Sequence, residues 1–80
     1  MIQEISLAIS KIIQEMGISP NTIRINPVSL DKLKSDNFHY GQLEQRDVFT
    51  VLGLRVITST KVEEGMCEIY NDKIFVEVAL

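Results

Sequence analysis

The chain is poor in reactive and cross-linking residues: 80 residues hold one cysteine, one histidine, two prolines and no tryptophan. Each scarcity excludes a class of protein. Cys67 alone cannot form an internal disulfide. Cys67 and His39 together fall short of the about four N or S ligands that close a structural zinc site. No apolar run approaches the about 20 residues that cross a bilayer, so no membrane association is expected. The amino terminus has no basic stretch ahead of an apolar core, so no secretion signal is expected and a reducing cytosol follows. With eight Lys and Arg spread along a chain of net charge -3, a nucleic-acid partner is not expected either.

Catalytic motifs are equally scarce. The chain carries no phosphate-binding glycine loop, dinucleotide fingerprint, paired-histidine helix or serine elbow. His39 lacks an orienting acid fixed by any motif. Cys67 lies in an alternating apolar run, where cysteine behaves as a small buried hydrophobe, and no basic neighbour in sequence lowers its thiol pKa. Glu63 and Glu64 are adjacent turn carboxylates and fall short of a calcium loop. The expectation is a protein that is not an enzyme, with no cofactor, no metal and no catalytic residue.

Apolar residues are plentiful by contrast, at 45% of the chain. Their spacing predicts one α+β domain over residues 1–80, a mixed four- or five-stranded sheet packed by an N-terminal amphipathic helix and a short second helix. Ile2, Ile5, Ile9, Ile12, Ile13 and Met16 recur at helical spacing, and Gly17 stands at the left-handed cap position. Thr22 to Asn26 alternates as a strand. Asn26-Pro27 then reads as a cap and first turn for a helix through Lys34. Ser35 to Asp47 has neither period and reads as a loop. Within it, Phe38, His39 and Tyr40 form a candidate protein contact, because loop aromatics make good anchors; the alternative is that Phe38 and Tyr40 fold back over the core edge.

The second half is apolar and β-branched. Val51 to Thr60 reads as one strand, with Gly53 marking a bulge or a close backbone approach; alternatively Val48 to Leu52 forms a short strand or a bend leading into Gly53. Lys61 to Gly65 turns the chain. Met66 to Tyr70 and Lys73 to Val78 form a hairpin about Asn71-Asp72. The expected core is Ile5, Ile9, Ile12, Ile13, Ile23, Ile25, Leu30, Leu33, Leu54, Val56, Ile69, Ile74 and Val76. A chain this short buries only roughly 60–65% of its unfolded surface, so a second chain is a natural source of added stability.

The order of these elements carries a resemblance. The chain runs from an amphipathic helix through Gly17 and Ile18-Ser19-Pro20-Asn21 to the strand Ile23-Arg24-Ile25, closed by Asn26-Pro27 and a helix bearing Leu30 and Leu33. It continues with Leu52-Gly53-Leu54-Arg55-Val56-Ile57-Thr58-Ser59, a turn ending at Gly65, and Ile69-Tyr70-Asn71-Asp72. In this it resembles the axial domain of tailed-bacteriophage major capsid proteins. Arg55 stands where that family often has Pro, and Asn71 where it has Gly. The long spine helix, extended loop and arm of a shell-forming subunit have no counterpart here, so a full capsid protein is not implied. The resemblance implies a small phage or prophage protein acting in virion structure or assembly, in a bacterial host cytoplasm or a virion. By analogy with domains that meet around symmetry axes, it implies a homo-oligomer. The small acidic surface and the aromatic loop support an alternative, a host-directed binding protein that inhibits a bacterial enzyme or defence component.

Overall fold

A computed structural model describes residues 2–37, 43–44 and 50–80. The fold is α+β, with two helices and a mixed sheet. Helix α1 spans Ile2–Met16, strand β1 Thr22–Ile25 and helix α2 Pro27–Asn37. Strands β2 (Leu43–Glu44), β3 (Thr50–Val51), β4 (Leu54–Thr58), β5 (Met66–Tyr70) and β6 (Phe75–Ala79) follow. The sheet order is β2-β3-β4-β1-β5-β6. Four strands are four or five residues long, and β2 and β3 are two-residue additions at one edge. The central strand β1 runs parallel to β4 and antiparallel to β5.

Local chemistry sets the boundaries. Gly17 adopts φ 65°, and its N–H donates to the Ile13 carbonyl at 2.9 Å, ending α1 in a left-handed cap. Asn26 caps α2: its Oδ1 accepts from the Val28 N–H at 2.8 Å. That helix outruns the expected boundary at Lys34, because no Gly or Pro interrupts the chain before Gly41. The segment expected as one loop therefore begins with helical Ser35 to Asn37 and includes strand β2.

The single strand read over Val51 to Thr60 is divided instead into β3 and β4, the two arms of a tight hairpin, as in the alternative of a short strand leading into Gly53. Val51 pairs with Leu54 around Leu52-Gly53, whose φ values are 51° and 82°. Two consecutive positive φ values make the hairpin turn that matches strand twist. The β5–β6 turn also shifts by one residue from the sequence expectation. Asn71 donates its N–H to the Ile74 carbonyl at 3.1 Å, so Asp72 and Lys73 occupy the tip. The Asn71 Oδ1 accepts from the N–H groups of Lys73 and Ile74, and its Nδ2 donates to the Ser19 carbonyl. One side chain thus folds the turn and ties it to the link between α1 and β1.

The core lies on one sheet face, under both helices. Ile5 and Ile12 from α1 and Leu30 and Leu33 from α2 meet Ile23, Ile25, Val51, Leu54, Cys67 and Ile69. Ile9, Val56, Ile74 and Val76 are half-buried at its margin, as are Val78 and Leu80. Ile13 departs from the expected core, with 44% exposure. It lies about 80° and 100° round the helix from the buried Ile5 and Ile12, on the far side of half-buried Ile9 and close to where α1 ends over β6 at the sheet edge. Val62 and Ser29 join the buried set unannounced by periodicity, since both act at junctions. The Asn26 Nδ2 donates to the Val62 carbonyl at 2.9 Å, and the Ser29 Oγ accepts from the Gly65 N–H at 3.2 Å.

Candidate functional site

The strand registers place a second set of side chains together on the sheet face opposite the helices. Arg24 lies beside Ile57 on β4 and Glu68 on β5, and Glu68 lies beside Glu77 on β6. Thr22 lies beside Arg55 and Tyr70, and Tyr70 beside Phe75. None of these residues is buried, and Phe75 and Ile57 are 55% and 40% exposed. Among the described residues, no element covers this face.

The face is ordered by its own contacts. The Arg24 guanidinium donates to the Glu68 carboxylate at 3.0 Å and to the Tyr70 hydroxyl at 3.3 Å. The same guanidinium sits 5.1 Å from the Tyr70 ring centroid, within range of a cation–π contact. Tyr70 and Phe75 are 6.1 Å apart between centroids, a tilted pair. The Tyr70 hydroxyl, ahead of the Glu68 carboxylate, raises the Arg24 pKa above its ordinary value. Arginine and tyrosine held in place by neighbours lose little freedom when a partner docks, and both are favoured at the energetic centres of protein interfaces.

A different feature marks the far edge. Strand β6 ends the sheet, and α1 lies along it. Between them runs an open groove of about 370 Å³, whose lining includes Ala8, Ile12, Met16, Val76 and Val78, with Lys11 and Glu15 on its helical side. Met16 is 50% exposed there. The groove is open to solvent and mostly apolar.

The residues singled out in sequence fare differently. Phe38, His39 and Tyr40 lie outside the described residues. Cys67 is fully buried on the core face of β5, and burial, with a smaller contribution from the Glu68 carboxylate, pushes its thiol up to about 11. It is a packing residue, held as the neutral thiol at ordinary pH. Glu63 and Glu64 are exposed in the turn ahead of β5. Among the described residues, no cluster of three or more His, Cys, Asp or Glu side chains converges. No helix among them is long and apolar enough to cross a membrane. The Arg24, Glu68, Tyr70 and Phe75 group was invisible in sequence because its members come from three strands. Alternation assigns each to the polar side of its own strand, but only pairing brings them together.

No family model, curated protein or solved structure matches this chain. The functional reading therefore rests on the surfaces just described and on the short motifs of the sequence.

Proposed function

We propose that this chain is a non-enzymatic phage or prophage protein with a capsid axial-domain-like fold, acting in virion structure or assembly through self-association. One observation carries the reading: a chain with a small core leaves large apolar side chains exposed on both flanks of its sheet. Leu7, Ile13 and Met16 are exposed on α1, and Ile57 and Phe75 on the opposite face. Burying such side chains stabilises an assembly by roughly 1.5–3 kcal/mol each when burial is complete. The order of motifs from Gly17 to Asp72 supports the capsid-like part of the reading. Light scattering on the purified chain at micromolar concentration tests it. A mass above that of the 9.1 kDa monomer is expected, and a strict monomer would refute self-association.

The braced Arg24, Tyr70 and Phe75 group favours a second reading, a binding protein directed at a host enzyme or defence component. Its surface combines a cation, a carboxylate and two rings in fixed register, as a selective protein contact requires. In this reading Phe75→Ala and Arg24→Ala each release a captured partner while leaving the fold intact. A partner retained by both variants would remove this face from consideration.

A further inference from the structure

We propose that the β6 edge and the flank of α1 beside it form a two-fold interface, joining two copies of this chain through one continuous sheet. This rests on the self-association reading and names its surface. The backbone is the first reason. At one end of the β5–β6 ladder the Asn71 N–H donates to the Ile74 carbonyl, and at the other the Leu80 N–H donates to the Gly65 carbonyl. Antiparallel ladders alternate, so Ile74, Val76, Val78 and Leu80 spend their backbone groups on the neighbouring strand. Phe75, Glu77 and Ala79 then direct their N–H and carbonyl groups outward, past the last strand of the sheet. Such a row is a template for another strand.

A second copy completes that template with itself. Antiparallel pairing about Glu77 sets Phe75 opposite the partner's Ala79 and Ala79 opposite the partner's Phe75, satisfying every outward group of the three residues on each side. Side chains agree with this geometry on the helical face. Val76 and Val78 are half-buried beside the groove, and the partner's Val76 and Val78 extend that apolar floor beneath both helices. Charge supplies the third reason. Lys11 and Glu15 lie on the groove one helical turn apart. A two-fold axis reverses their order, bringing Lys11 toward the partner's Glu15 and Glu15 toward the partner's Lys11. The two Glu77 carboxylates meet on the solvent side and hold the affinity down, which keeps the edge from pairing indiscriminately.

Amide hydrogen exchange by NMR on the full chain, read at rising concentration, tests the interface. The amides of Phe75, Glu77 and Ala79 are expected to gain protection as the chain associates, while those of Val76, Val78 and Leu80 stay protected throughout. Glu77→Pro removes an outward donor without touching the internal ladder, and it should abolish association while Ile23 and Ile69 keep slow exchange. Glu77→Gln should tighten association. Lys11→Glu should weaken it by about tenfold, with recovery in the Lys11→Glu, Glu15→Lys double variant. An associating chain whose three outward amides keep exchanging fast, or whose Glu77→Pro variant still associates, overturns this interface and leaves self-association standing. A chain monomeric at every concentration overturns both, and leaves the edge to a strand from a different protein.

Discussion

Leu52 and Gly53 show how much a fold can demand of single residues. Both adopt positive φ, and a Cβ placed on Gly53 meets no atom within 4 Å beyond those of its chain neighbours. Gly53→Ala therefore meets no steric contact and pays only for its backbone, about 1–2 kcal/mol, read as a lower thermal midpoint. A side chain already tolerates this region at Leu52, so the variant should still fold. Cys67 gives a second residue-scale expectation. Its thiol is raised from 9.0 to about 11 in the folded chain. Over that interval the unfolded chain has lost the proton that the folded chain keeps, so the unfolded state binds fewer protons and stability falls as pH rises. The contribution is complete below pH about 9 and gone above about 11. Denaturant melts of wild type and Cys67→Ala across this range should differ in slope, and parallel curves would refute the burial of the thiol.

At the scale of elements, asparagine does most of the joining. Asn26 caps α2 with its carbonyl oxygen and grips the Val62 carbonyl with its amide, so the helix start and the turn before β5 move as one. Asn26→Ala removes both bonds and should cost about 1–2 kcal/mol, more than a cap alone, whereas Asn26→Asp keeps the cap and loses only the second bond. Equal losses in urea melts of the two variants would show that the Val62 bond, not the cap, carries the effect. Sequence reading located this cap because Asn-Pro ahead of a helical pattern is a local signal. It could not locate the Val62 bond, whose partners are 36 residues apart. The same limit explains the hairpin at Leu52-Gly53. Leucine is a poor choice for a left-handed turn residue, so the sequence leaves a continuous strand and a break ahead of Gly53 both open until β3 and β4 are seen to pair. The β5–β6 turn was legible as a turn, and its one-residue shift came from the side chain of Asn71 reaching the N–H groups beyond it.

At the scale of the molecule, the arrangement is a single layer of sheet with both helices on one side. Ile12 is buried between α1 and that sheet, and Ile13 is not. Ile12→Asp should unfold the chain, because an unpaired carboxylate in this core costs several kcal/mol, a large part of the stability of a domain this small. Ile13→Ser, adjacent in sequence and equally polarising, should melt close to wild type when the chain is monomeric. A folded Ile12→Asp variant would refute the orientation of α1. The one-sided arrangement also explains why the proposed contact surfaces lie where they do. Strands β1, β4, β5 and β6 turn alternate residues to the face away from the helices, and among the described residues β6 has a neighbour on one side only.

The sequence by itself determined the class of fold, the helix positions to within a turn, the capping residues and most of the core. Periodicity, caps and burial are properties of neighbours along the chain or of one residue's solubility, and they can be read one residue at a time. Only the tertiary structure decided which strands pair, which face stays open, and that Arg24, Glu68, Tyr70 and Phe75 form one group. It also decided that β6, and not β1, ends the sheet on the side of α1. Those facts depend on contacts between residues far apart in sequence, where many pairings satisfy the same alternation and only the packing of the whole chain selects among them.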